Sequence, residues 1–135
     1  MEYPGYSLYI GEPNANTILE DAEILYTFLT KEIGIREENI LLFGRSIGSG
    51  PATYLAARKN PGALILMSPY TSIRAVVKGV AGAAGDLAKL LIAERFNNLE
   101  QIVNVKCPTL FIHGMLDTLI PKDHSVELMS AMKAI

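Results

Sequence analysis

One cysteine, no tryptophan, two histidines and no acidic residue anywhere from Asn39 through Gly85 are the first features of this 135-residue chain. Cys107 has no partner for an intrachain disulfide, which suits a reducing compartment. Lying beside Pro108 and ahead of an apolar run, it reads as a small buried thiol. No block of Lys or Arg is present and the net charge is −2, so nucleic acid is not an expected partner. The least polar long stretch, 75–93, is interrupted by Lys78, Asp86, Lys89 and several glycines, which excludes a membrane span. The opening MEYPGYSLYIGEP lacks the charged segment followed by an apolar one that marks a signal peptide. A soluble, cytoplasmic protein is expected, with membrane association left to a full-length form. No His, Cys or Asp cluster has metal-ligand spacing, so neither a metal nor another cofactor is expected. Repeats, low-complexity tracts and interdomain linkers are absent too.

What is present is half hydrophobic and less than one-fifth charged, a composition for one packed domain spanning 1–135. Thr17-Ile18-Leu19-Glu20 has the form of a capping box. Ile18, Ala22, Leu25, Leu29 and Ile33 then recur at helical spacing up to Gly34, predicting one amphipathic helix. Three short apolar runs, 40–43, 63–67 and 108–112, read as strands. The first two are continuously apolar rather than alternating, which predicts burial on both faces and a parallel sheet. Helical patterns follow each run: one to about Lys59, a glycine-weakened one from Ile73 to about Glu94, a turn at Leu99–Val103, and a last one from Pro121 to about Met132. The alternation predicts an α/β fold, a parallel sheet of about three to four strands with helices on both faces. The 70–98 stretch is expected to lie over the site as a small helical cap.

The chemistry is concentrated in NILLFGRSIGSGP, residues 39–51. An apolar run ends abruptly in Gly44-Arg45-Ser46-Ile47-Gly48, and a small-residue helix follows. This G-x-S-x-G context is that of a nucleophile elbow, which lifts a serine hydroxyl clear of the sheet. Gly44 and Gly48 are expected to be glycine because a Cβ at either would clash where strand and helix converge. Pro51 suits a first helical turn, where its missing N–H costs nothing. Arg45, beside the serine, would draw an anionic substrate toward it.

GRSIGSGP after ILLF, SPYTS after LILM, and PTLFIHGMLDTLIP together resemble the α/β-hydrolase superfamily. The nearest likeness is to the serine-aminopeptidase-like branch that includes the depalmitoylases, and the EYPGY turn with its helix fits that branch. The resemblance runs from Tyr3 to about Leu128. It implies Ser46 as nucleophile, Ile47 as donor of an oxyanion-hole N–H, and Asp117 as the acid that orients a histidine. It further implies hydrolysis of an ester, thioester or amide through an acyl-enzyme, with a small molecule or acylated protein as substrate.

The histidine departs from that pattern. In this fold the triad follows the order Ser, Asp, His, and only His124 comes after Asp117, at the start of the last helix rather than after a further strand. His124 is therefore expected to pack or cap, and His113, which precedes Asp117, to be structural. The upstream loop that carries the second oxyanion donor in the family has no counterpart either, so the chain reads as the middle portion of a hydrolase. Two rival readings stay open. One is a scaffold that keeps the fold without a complete triad. The other takes Gly44, Gly48 and Gly50 as the G-x-x-x-G-x-G loop of a short-chain dehydrogenase binding NAD(P). The latter expects an acidic residue about 20 positions on, where the sequence has Met67-Ser68-Pro69.

Overall fold

A computed structural model describes residues 1–12, 14–81 and 96–133, without the side chains of 79–81 and 133. Three parallel strands, β1 (Leu41–Arg45), β2 (Ala63–Met67) and β3 (Thr109–Ile112), are ordered β1-β2-β3. The register sets Arg45 against Met67 and Met67 against Ile112, so all three chains leave the sheet at one end. Helices α1 (Ala15–Thr27) and α2 (Ser49–Ala56) flank β1 in sequence. Between β2 and β3 lie α3 (Ile73–Ala81) and α4 (Asn98–Ile102), and α5 (Asp123–Lys133) closes the chain. The expected continuation of α3 to Glu94, and residues 82–95 of the proposed cap, lie outside the described residues.

One face of the sheet carries the core. Leu64 and Leu66, fully buried, pack with Ala52 and Ala56 of α2, Ile102 of α4 and Leu128 of α5. A second cluster joins Ala22 and Tyr26 of α1 to Ile40 and Leu55. Among the described residues, burial on both faces is not observed. On the opposite face Leu41 is 64% exposed, Phe43 58% and Leu110 54%. The reason is topological: β1 and β3 are edges, and the core clusters gather α1, α2, α4 and α5 on the Leu42/Leu64/Leu66 side. A continuous apolar run shows that a strand can be buried twice, not that it is.

Helix α1 begins earlier than the capping box implies. Asn14 is the N-cap, its side chain accepting from the Asn16 N–H at 2.9 Å, and Thr17 and Glu20 both lie inside the helix. The buried stripe is Ala15, Ile18, Ala22 and Tyr26, while Leu25 and Ile33 are exposed. Tyr26 is tolerated inside because its phenol donates to Glu37 Oε2 at 3.1 Å. A π-helical turn, Phe28–Glu32, shifts the phase after Thr27. Gly34, at φ +76°, stops the helix as the sequence predicts.

Candidate active site

Ser46 leaves the end of β1 with φ +49°, the left-handed region that a side chain enters only under constraint. A short 3₁₀ turn, Ser46–Gly48, runs straight into α2. Strand, left-handed serine and helix are the geometry of a nucleophile elbow. Ser46 is half-buried and Ile47, the next residue, is exposed. The first N–H groups of a helix have no carbonyl one turn earlier to accept them, which is what an oxyanion donor at Ile47 requires.

The two flanking glycines differ in kind. A Cβ on Gly44 would sit 2.6 Å from the Gly48 carbonyl oxygen and 2.8 Å from both Ser49 Cα and Ala52 Cβ. The expected steric requirement holds there. It fails at Gly48, where the nearest atom is Tyr3 Oη at 3.5 Å, an ordinary contact. Gly48 has φ −66° and its missing Cβ points outward. The second constrained position is instead Gly50, whose Cβ would fall 2.5 Å from the ring of Phe96. No sequence signal marks that pairing, because the two residues come from segments far apart in the chain. It also weighs against the dinucleotide reading, since an aromatic ring fills the space against the third glycine.

Asp117 sits in the loop after β3, hence at the same sheet end as Ser46. Its Oδ1 accepts from the Leu119 N–H at 3.1 Å and the Ile120 N–H at 3.0 Å. The Ile120 N–H, the Ser68 hydroxyl, the Leu119 N–H and nearby His113 together hold the carboxyl below its usual range, so it is ionised near neutral pH. This is also an Asx turn, and one oxygen is committed to it. His113 stabilises the same loop from beneath: Nε2 lies 2.7 Å from the Ile120 carbonyl and Nδ1 2.7 Å from Ser125 Oγ. Nε2 stands 3.9 Å from Asp117 Oδ2. With both ring nitrogens occupied, His113 has the structural role its position in sequence suggests.

His124 is held elsewhere. Its Nδ1 accepts from the Thr71 N–H at 3.3 Å and lies 2.9 Å from Thr71 Oγ1. Burial pushes its pKa down, with His113 acting in the same direction and Glu127 and Asp123 opposing. In the unfolded chain the ring has an ordinary pKa of about 6.5 and takes up a proton that the folded form resists. The contribution to stability is thus complete above that value and is lost as pH falls below it toward the depressed folded pKa. Urea unfolding should show a smaller free energy at pH 5 than at pH 7.5, and His124→Gln should remove much of that difference.

A cavity of about 390 Å³ opens between α1, β1 and α2, against Tyr3, Leu25, Phe43, Gly48 and Pro51. Neither Ser46 nor Asp117 lines it, so it is a groove along the β1 edge and not a reaction pocket. Cys107 is half-buried against the core, and burial raises its thiol pKa. Among the described residues no His, Cys, Asp and Glu group could hold a metal, and no helix is long and apolar enough to cross a membrane.

A parallel sheet with a left-handed serine at its C-terminal edge is the arrangement of the α/β-hydrolase fold. The fold superposes on an α/β hydrolase from Vibrio vulnificus with a TM-score of 0.83, 19% identity, and coverage of 98% of this chain and 50% of that one. An acylaminoacyl peptidase of Pyrococcus horikoshii follows at TM-score 0.64 and 24% identity, covering 89% of this chain and 22% of that one. In sequence the chain is 35% identical over 127 residues to the human α/β hydrolase domain-containing protein 17B, 94% of this chain and 42% of that protein. The Xenopus tropicalis protein 17C is 33% identical over 127 residues, 94% of this chain and 39% of that protein. The chain therefore has the α/β-hydrolase fold and is similar in sequence to α/β hydrolase domain-containing proteins, of whose length it spans about two-fifths. No family model matches it.

Proposed function

We propose that this chain carries the nucleophile and the acid of a serine hydrolase that cleaves an ester, thioester or amide. The observation that carries the reading is Ser46 at φ +49° on the sheet end that also bears Asp117. In this mechanism a base removes the Ser46 hydroxyl proton as Oγ attacks the substrate carbonyl. The Ile47 N–H donates to the tetrahedral oxyanion, a contribution of roughly 10²–10³ in rate per donor. Collapse expels the leaving group with the proton, and water then hydrolyses the acyl-serine. Asp117 would hold the base in its productive tautomer.

Neither histidine serves as that base, because His113 bonds Ser125 and Ile120 while His124 bonds Thr71. We assign the base to polypeptide beyond these 135 residues, in keeping with relatives more than twice as long. The likeness to the α/β hydrolase domain-containing proteins, and the depalmitoylase branch that the sequence resembles, favour a protein thioester as substrate. A second reading, a scaffold without turnover, draws on the same commitment of both histidines. A fluorophosphonate probe, applied to protein that includes the polypeptide supplying the base, separates the two. Labelling at Ser46 that disappears in Ser46→Ala supports the hydrolase, and an unlabelled folded protein supports the scaffold.

A further inference from the structure

We propose that residues Ser68–Thr71, directly after β2, form a brace that sets the nucleophile turn and the acid loop in one frame. Tyr70 is the positioning residue for the Ser46 turn, and the Ser68 N–H ties the segment to the end of β3, from which the Asp117 loop starts; their assignment to catalysis rests on the hydrolase reading above. In the sheet β2 lies between the two strands that carry the site, so the segment leaving it is the shortest route from one to the other.

Ser68 has φ +44°, a second constrained serine at the same sheet end as Ser46. Its N–H donates to the Ile112 carbonyl at 2.8 Å, at the end of β3 and just ahead of the loop that carries Asp117. Pro69 follows, fully buried. Tyr70 then crosses to the other side. It is 1% exposed, and its phenol donates to the Ile47 carbonyl at 3.3 Å. Ile47 is the residue whose N–H would face the oxyanion, so the phenol restrains the same residue at its other end.

Tyr70 is itself fixed. Asn98, with no exposure, gives one Nδ2 hydrogen to Ser49 Oγ at 3.0 Å and the other to the Tyr70 carbonyl at 2.9 Å. Thr71 completes the attachment, its carbonyl accepting from the Leu99 N–H at 3.1 Å and its N–H reaching His124. A phenylalanine would fill the space of the Tyr70 ring equally well. The buried oxygen therefore has a purpose beyond packing, because an interior phenol is retained where its O–H has a partner to hold.

Tyr70→Phe keeps the ring and removes the donor. Backbone amide exchange across residues 46–50 should accelerate about tenfold, the size of one lost hydrogen bond, with α5 unchanged. Fluorophosphonate capture at Ser46 should slow about tenfold in Tyr70→Phe with no change in the probe concentration needed for half-saturation. Exchange that is unchanged at 46–50, or that rises equally throughout the protein, overturns the brace. A wild-type protein that takes no label overturns the hydrolase reading instead, and the exchange data still decide the brace.

Discussion

Ser46→Gly is expected to abolish capture by a fluorophosphonate while leaving the protein more stable than Ser46→Ala. The first effect follows from loss of the only hydroxyl at the tip of the turn. The second follows from the backbone. A left-handed conformation costs a residue with a Cβ roughly 1–2 kcal/mol, and glycine adopts it freely. Against that, glycine gives the unfolded chain extra freedom worth about 0.4–1 kcal/mol. Ser46→Gly should then exceed Ser46→Ala in unfolding free energy by roughly 0.5–1 kcal/mol. In an ordinary helical or extended position the order is the reverse, alanine above glycine. Urea titrations of the two variants decide the matter. Ser46→Ala at or above Ser46→Gly would mean that the turn stores no strain, and a serine held without strain is an ordinary turn residue. Strain retained at a position whose side chain supports nothing in the fold is the mark of a site kept for its chemistry.

Gly44→Ala should be the most damaging single-methyl change in the elbow. The added carbon would meet the Gly48 carbonyl oxygen at 2.6 Å and Ser49 Cα at 2.8 Å, both backbone atoms that cannot rotate away. Either α2 lifts off β1 or the strand bends, and overpacking of this kind costs about 3 kcal/mol, the upper part of its usual range. The control is Gly48→Ala, at the other glycine of the same motif. With 3.5 Å to the nearest atom and a helical φ of −66°, it should change stability by less than about 1 kcal/mol. Equal losses at the two positions, measured by urea unfolding, would show that α2 is not seated on β1 as described. Gly44→Ala should also slow capture at Ser46, because the serine rides on the segment that is displaced.

These two expectations separate what a motif records from what it requires. G-x-S-x-G was legible as an elbow because a strand-like run preceded it and a small-residue helix followed. The motif treats its two glycines alike, whereas only Gly44 faces the convergence of β1 and α2. Gly50, just past the motif, is the other tight position of this turn, and its constraint comes from Phe96, which no local pattern links to it. In the same way the spacing of α1 located the helix and its stop at Gly34. The buried stripe nevertheless turned from Leu25 to Tyr26, because Glu37, eleven residues on, supplies a partner for the phenol.

The sequence alone determined that three apolar runs alternate with helices, that the chain doubles back in parallel, and that a serine and an aspartate follow the first and third strands. Local chemistry suffices for each, since periodicity, turn residues and short-range sterics act within a few positions. Only the tertiary structure decided which sheet face is covered, that His113 bonds Ser125 and Ile120, and that His124 Nδ1 bonds Thr71. It alone showed that the Ser68 N–H and the Tyr70 phenol reach from the end of β2 to Ile112 and Ile47. Those facts depend on hydrogen bonds and packing between residues tens of positions apart, and such partners are chosen by the closing of the fold, not by the neighbours along the chain.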